Sequence, residues 1–201
     1  MNLDKHDLFR NAVPGFVFMI VILSFYAVTG RLDAINQNQG ALLGLVAGFP
    51  LGFIIHSLYR IIFHIWSGEQ AALEEEDAQL VSDEIFQGDN KEKAHFLWFH
   101  MSQNQPWKGR IDFLYSYIHA LGSSVLAIFL ALGFMFTIKY PICYVLFCSG
   151  YPKVMRIILT AFIWVLIAVI FYAGRKHVKD SCKISREVFF KINKDKLIGN
   201  E

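Results

Sequence analysis

Residues 41–66 of the chain read ALLGLVAGFPLGFIIHSLYRIIFHIW, and this stretch decides the fold. It is apolar over about 20 residues, the length that an α-helix needs to cross the hydrocarbon core of a bilayer. His56, Arg60 and His64 interrupt it at intervals of four, a spacing that keeps side chains on nearly one face of a helix. Because polar groups are costly in hydrocarbon, this basic stripe is expected to face protein, water or lipid headgroups.

Three other apolar blocks have a similar length, at 13–29, 118–138 and 157–173. The whole chain of 201 residues is 55% hydrophobic and only 18% charged, with 19 Phe. A soluble domain of this size carries more charge, and its apolar residues are spread along the chain rather than gathered in blocks. The sequence therefore predicts an all-α polytopic membrane protein, with four transmembrane helices and a small helical cytoplasmic module.

The predicted elements follow one another in a simple order. They are an amphipathic N-terminal helix at 1–12, transmembrane helices 1 and 2 at 13–66, a cytoplasmic helical segment at 67–111, transmembrane helices 3 and 4 at 112–174, and a basic cytoplasmic tail helix at 175–201. With four spans, fifteen of the 19 Lys and Arg residues fall on the side of the termini and four on the other side. Positive residues collect on the cytoplasmic side, so both termini are expected there.

The cytoplasmic segment and the tail carry opposite charge. Residues 69–89 contain eight acidic residues and no basic one, and are expected to form a helix that ends near Gly88. A second, aromatic helix should follow and stop at Gln105-Pro106, since the residue before proline disfavours helix. The tail from 175 to 196 has eight basic and three acidic residues. We expect the acidic helix to dock onto the basic tail, rather than both remaining solvated.

The third span begins on the same side as the basic stripe and brings its own polar residues. By axial rise, His119 should lie at the depth of His56, and Asp112 is a natural counter-ion for Arg60 or His64. The predicted ligand or ion pathway comprises His56, Arg60, His64, Asp112, Tyr115 and His119. A plainer interpretation is that Arg60 and His64 reach the headgroups by snorkelling and only His56 is embedded.

Catalytic and metal-binding motifs are weak or missing in the sequence. There is no nucleophile elbow, phosphate loop or dinucleotide fingerprint. His95 and His100 are near helical spacing, but no third ligand accompanies them, so no metal or other cofactor is expected. The sequence thus favours a protein that is not an enzyme. Direct nucleic-acid binding is also disfavoured, because acidic residues interrupt the basic tail.

Two of the three cysteines, Cys143 and Cys148, lie in the connection between the third and fourth spans. If that side of the membrane is oxidising, they are placed to form a disulfide. The alternative is a pair of free thiols in an apolar loop. Cys182 falls in the cytoplasmic tail and is expected to be inert.

The opening NAVPGFVF, from Asn11 to Phe18, enters the first span behind a short amphipathic helix. In this and in its size and span number, the chain resembles small prokaryotic multi-span membrane proteins associated with CRISPR or other phage-defence systems. The resemblance implies an accessory or effector protein of the cytoplasmic membrane, often a homo-oligomer, and it carries over no catalytic residue.

The leading hypothesis is an oligomeric inner-membrane protein that forms a pore or channel and whose cytoplasmic module receives a protein partner or a small anionic ligand. One alternative is a small membrane-embedded enzyme or transporter that uses His56, Arg60 and His119. The other is an adaptor that tethers a partner to the membrane without forming a pore.

Overall fold

The computed structural model describes residues 5–29, 37–62, 68–139 and 151–197, and every regular element in these ranges is helical. The helices are α1 (Lys5–Val28), α2 (Gln37–Tyr59), α3 (Glu69–Leu80), α4 (Asn90–Gln103), α5 (Gln105–Phe134) and α6 (Tyr151–Leu197), and a π-helical segment, Met135–Lys139, follows α5. The prediction of an all-α chain is confirmed for the described residues. The pair Cys143 and Cys148 lies outside them, so the disulfide stays a prediction.

Three helices of the described chain are long and apolar enough to cross a membrane. They lie at Phe9–Val28, Gln105–Thr137 and Pro152–Lys194. The second predicted span corresponds to α2, where the apolar stretch Val46–Ile62 is shorter than these three. A membrane protein is therefore supported by three helices, and the count of four remains a prediction.

The chain forms two compact units, each with its own core. The first unit contains residues 1–59 and 119–175, and the second contains residues 60–118 and 176–201. Helices α5 and α6 each contribute residues to both units.

In the first unit, α1 and α2 approach each other at glycines. A Cβ atom added to Gly15 would overlap the backbone carbonyl of Gly48, and one added to Gly52 would overlap the backbone carbonyl of Asn11. Small residues of this kind allow helix backbones to come close, which is a common way for membrane helices to associate. The backbone contact thus explains why the sequence has glycine at these positions.

The core of the first unit joins α1, α5, the π-helical segment and α6. Its fully buried side chains include Val21 and Phe25 from α1, Ile128 from α5 and Met135 from the π-helical segment. Phe25 packs edge-to-face on Phe136, with the ring centroids 6.0 Å apart. A polar contact also crosses the core, where the Trp164 indole N–H donates to the Ser24 hydroxyl over 2.8 Å.

The second unit packs α3 and α4 with the first part of α5 and the last part of α6. Its buried core includes Leu97 and Met101 from α4, Ile111 from α5 and Phe189 from α6. Asp89 begins α4 with a capping box, in which Asp89 accepts from the Glu92 backbone N–H and Glu92 accepts from the Asp89 backbone N–H. Such reciprocal bonds satisfy donors that a helix start otherwise leaves unpaired.

Several helix boundaries differ from those expected from the sequence. Helix α1 continues through Pro14, so the expected amphipathic helix and the first span form one helix. The acidic helix ends at Leu80 rather than near Gly88, because Val81 takes an extended conformation. Pro106 lies in the first turn of α5, where the missing N–H of a proline has no helical partner to lose. The predicted continuation of the fourth span into the tail is confirmed by α6.

The part of α6 that belongs to the first unit leaves a long apolar surface uncovered. Its exposed side chains include Ile158, Leu159, Phe162, Ile163, Leu166, Val169 and Ile170. An apolar surface of this extent on one helix is typical of contact with lipid or with another membrane helix.

Candidate functional site

Four polar side chains meet in the first unit. The rings of His56 from α2 and His119 from α5 lie edge-to-face, with centroids 5.6 Å apart, and each also packs near the Tyr59 ring. The Arg175 Nε atom of α6 donates to the Tyr59 hydroxyl over 2.9 Å, and its guanidinium lies 5.8 Å from the centre of the same ring. Tyr59 is 2% exposed and His56 is 5% exposed. We call these four residues the histidine cluster.

Small residues in α5 make room for the histidine cluster. A Cβ atom at Gly122 would come within 2.5 Å of the Tyr59 ring, so only glycine lets the ring lie there. The neighbouring Ser123 hydroxyl donates to the His119 backbone carbonyl and is fully buried. The close contact at Gly122 restricts the position of the tyrosine ring. An imidazole pair in this setting has the chemistry to bind or pass a proton.

The histidine cluster contains two of the six residues predicted as a pathway. The structure brings His56 and His119 together, as their similar predicted depth suggested. Arg60, Asp112 and Tyr115 belong to the second unit, and Arg60 and Asp112 are exposed there. His64 lies outside the described residues, so the predicted pairing of Asp112 with Arg60 or His64 stays a prediction.

A second group of polar residues surrounds Arg186 in the second unit. The Arg186 side chain is 2% exposed, and its Nε atom lies 2.9 Å from Asp77 Oδ1. Its Nη1 atom donates to the Tyr115 hydroxyl over 2.9 Å, and Nη2 lies 3.6 Å from Glu76 Oε2. Lys183 adds a longer ion pair to Glu76. The predicted docking of the acidic helix on the basic tail is therefore confirmed at α3 and α6.

Asp77 is the acidic centre of this network. Its Oδ2 atom accepts a hydrogen bond of 2.8 Å from the Trp98 indole N–H. Its Oδ1 atom lies 2.9 Å from the Arg186 Nε atom, so each oxygen of the buried carboxyl group faces a donor. Burial raises the pKa of the Asp77 carboxyl above its ordinary value, and Arg186 and Trp98 act in the opposite direction because they favour the charged form.

Beside Asp77 lies a cleft of about 450 Å³ within the second unit. We call it the acidic-aromatic cleft. Its walls are formed by Leu73, Glu74, Asp77, Ala94, His95, Trp98, Asp112 and Tyr115. Ligand sites in proteins have volumes of roughly 300–1,000 Å³ and combine apolar walls with a few convergent polar groups, and this cleft fits both properties.

The sequence pointed to part of this arrangement. Tyr115 and Asp112 were predicted as site residues at the entrance of the third span. In the structure they line a cleft between helices of the second unit. Asp77, Trp98 and Arg186 were not identified as site residues from the sequence. The available signal was the opposite charge of α3 and the tail, which identified the helices that pair but not the residues that become buried.

Among the described residues, no group of three or more His, Cys, Asp or Glu side chains is arranged to hold a metal ion. No protein-family model, curated protein or solved structure matches the chain. The function must accordingly be inferred from the geometry of the acidic-aromatic cleft and of the histidine cluster.

Proposed function

We propose that this chain is a non-enzymatic membrane protein that receives a ligand or partner in the acidic-aromatic cleft. The first unit holds it in the bilayer, with α2 as a fourth span, and the second unit is cytoplasmic. As an accessory or effector protein of a prokaryotic inner membrane, it responds to the ligand by a change in the membrane helices. This role is compatible with the resemblance to phage-defence proteins.

The observation that carries this proposal is the cleft itself. It combines a volume suited to a small molecule or a protruding side chain with walls that are held rigidly. Trp98 is fixed by its bond to Asp77, and Tyr115 is fixed by its bond to Arg186. Side chains that are already ordered lose little entropy when a ligand binds, so such a site is preorganised.

Self-association in the membrane is the second part of the proposal. The exposed apolar surface of α6 can pack against a second copy as well as against lipid. Pore formation would require such an assembly to surround a polar axis. Size measurements in detergent and in nanodiscs test the assembly, and dye or ion release from liposomes tests the pore.

A cleft-filling variant tests the ligand-binding role. His95 lines the cleft and is exposed, so His95→Trp should occupy its mouth without disturbing a core. His177→Trp is the matched control, because His177 is an exposed histidine of the same unit away from the cleft. Full-length protein in nanodiscs is screened by thermal shift against anionic, neutral and cationic metabolites and short peptides.

We expect at least one class of compound to raise the unfolding temperature of the wild type and of His177→Trp, but not of His95→Trp. Binding to the native state alone raises stability in proportion to the logarithm of ligand concentration, which makes the readout quantitative. A screen in which the wild type and His95→Trp respond alike to every compound would contradict a binding role for the cleft.

The histidine cluster supports a second candidate function, a proton or ion pathway through the first unit. Two imidazoles, a phenol and a guanidinium lie together there, and ionisable groups inside a membrane helix unit often mark transport paths. In proteoliposomes, His56→Gln and His119→Gln should each abolish pH-driven flux, with His177→Gln as the control. Flux that persists in both variants would assign the cluster a packing role.

A further inference from the structure

We infer that Arg186 and Trp98 form a binding site for the carboxylate or phosphate group of a small anion, and that α3 covers this site as a displaceable strap, with Asp77 in the place of the ligand. The inference goes beyond the proposed role of the acidic-aromatic cleft and does not depend on it. It agrees with the small anionic ligand expected from the sequence, but it places that ligand on α4 and α6 of the second unit rather than on the basic stripe of the second span.

The site is defined by the donors that surround the Asp77 carboxyl group. The Arg186 Nε atom of α6 lies 2.9 Å from Oδ1, and the Trp98 indole N–H of α4 donates to Oδ2 over 2.8 Å. Arg186 is oriented in turn by its hydrogen bond to the Tyr115 hydroxyl of α5. Guanidinium and N–H groups that meet the two oxygens of one acidic group are typical of carboxylate and phosphate recognition. Because α3 supplies only the acceptor, the donors of the site belong to other helices.

The ion pairs of Glu76 and Asp77 connect α3 to the basic tail helix. Glu76 pairs with Lys183 and Arg186, and Asp77 pairs with Arg186. The cost of desolvating a buried pair largely offsets the attraction between its charges, so the net stabilisation is small. Replacing the Asp77 carboxylate on Arg186 by the acidic group of another molecule therefore costs little electrostatic energy.

Helix α3 has few other contacts that hold it in place. Within residues 71–80, where burial is described, only Asp77 and Ala78 are buried. The helix has five acidic residues and no basic one among its 12 residues. Like charges one turn apart repel, and negative charge near the C-terminal end of a helix is disfavoured by the helix dipole. Without its cationic partners α3 would have low stability, and local opening occurs in segments of this kind.

Competition with Asp77 sets the expected affinity for an anion. An added anion binds only those molecules in which α3 has left the site, and a small fraction of such molecules raises the apparent Kd in proportion. Minor conformations of this kind comprise about 10% of the molecules or less, so a weakened strap should tighten anion binding about tenfold or more. Asp77→Asn weakens the strap because it removes the charge and keeps the size of the side chain.

Glu75→Gln is the matched control for Asp77→Asn. Glu75 is an exposed acidic residue of the same helix. Its removal changes the net charge of α3 by the same amount without touching Arg186. Because exposed charges contribute little, the affinity for an anion should stay within about twofold of the wild type.

Full-length protein in phosphatidylcholine nanodiscs is titrated with succinate and with inorganic phosphate. Sodium chloride at the same ionic strength controls for screening of the ion pairs. Hydrogen exchange follows α3, with α4 as the internal reference. We expect succinate or phosphate to accelerate exchange in α3 more than in α4, and more than sodium chloride does. Asp77→Asn should bind the same anion about tenfold or more tightly than the wild type.

Trp98→Phe distinguishes a built site from general attraction to a basic helix. Added to Asp77→Asn, it removes the indole N–H donor, keeps an aromatic side chain and should weaken anion binding roughly tenfold. Nanodiscs that contain phosphatidylglycerol distinguish two sources of the anion. Faster exchange in α3 without any added anion identifies a lipid headgroup, and a requirement for succinate or phosphate identifies a soluble anion.

The inference is overturned if neither anion nor phosphatidylglycerol accelerates exchange in α3 beyond the effect of sodium chloride. Equal affinity in the wild type, Asp77→Asn and the double variant would also overturn it, since the anion would then be bound elsewhere. Anion binding that His95→Trp abolishes and Asp77→Asn leaves unchanged would place the anion in the acidic-aromatic cleft, which overturns the inference and leaves the proposed function intact. If Asp77→Asn does not fold, the exchange of α3 in the wild type decides by itself.

Discussion

The Nε atom of Arg186 lies 2.9 Å from Oδ1 of Asp77, and each side chain is 2% exposed. This ion pair ties α6 to α3 and supports the wall of the acidic-aromatic cleft through Trp98 and Tyr115. A buried pair is costly to desolvate, so its net contribution to stability is small, but either charge alone would be strongly unfavourable in the same place.

Arg186→Met should therefore destabilise the second unit strongly. It leaves Asp77 buried without its cation, a change that typically costs about 3–5 kcal/mol. Lys183→Met is the control, because Lys183 is half exposed and lies 3.9 Å from Glu76, and an exposed ion pair contributes about 1 kcal/mol or less. Hydrogen exchange of α3 and α4 measures both effects. Equal protection in the two variants would show that the buried ion pair contributes no more to stability than the exposed one.

The raised pKa of Asp77 predicts a pH dependence of stability. The folded state binds the Asp77 proton more tightly than the unfolded state, so this group stabilises the fold at a pH below its ordinary pKa. That contribution is lost as the pH rises through the raised value. We expect the free energy of unfolding to fall more steeply with rising pH in the wild type than in Asp77→Asn across this window. If the free energy of unfolding depends on pH in the same way in the two proteins, the raised pKa of Asp77 is contradicted.

The contact between α1 and α2 predicts opposite effects at two glycines. Gly15→Ala places a methyl group against the Gly48 carbonyl, so the helices must separate, and overpacking of this kind costs about 1–3 kcal/mol. A Cβ atom at Gly133 in α5 meets nothing within 4 Å. Gly133→Ala should thus be neutral or stabilise by up to about 1 kcal/mol through helix propensity. Thermal unfolding in detergent ranks the two variants, and a Gly15→Ala protein as stable as Gly133→Ala would refute the close approach.

The bond between Arg175 and Tyr59 predicts a cost for removing one hydroxyl group. Tyr59→Phe keeps the ring under Gly122 but deprives the Arg175 Nε donor of its acceptor, which should cost about 1–3 kcal/mol. Tyr172→Phe removes a hydroxyl from a side chain that is 59% exposed and should change stability by less than about 0.5 kcal/mol. Unfolding of both variants in the same detergent gives the comparison. A neutral Tyr59→Phe would mean that Arg175 interacts mainly with the aromatic ring.

The helical class and the pairing of charged segments were readable from the sequence because both depend on local composition. Apolar blocks of about 20 residues have few alternatives to a membrane helix, since every backbone polar group must be satisfied within the segment. The basic helix of the tail and the acidic α3 share a unit and carry opposite net charge, so their contact followed from electrostatics. Helix ends were less uniformly predictable. Helix α4 ends at Gln103, next to the expected stop at Gln105-Pro106, but the acidic helix ends at Leu80 rather than near Gly88.

Only the tertiary structure decided which polar residues meet in the second unit. Glu75, Glu76 and Asp77 are consecutive acidic residues of one helix, yet Asp77 alone of the three is buried, because its face of α3 turns towards Arg186 and Trp98. The Tyr115 hydroxyl accepts a hydrogen bond from Arg186, 71 residues later in the chain, and Arg186 is not one of the residues of the predicted pathway. Sequence patterns specify the face and length of a helix, but a contact between distant segments depends on how whole helices pack, and that was settled only in three dimensions.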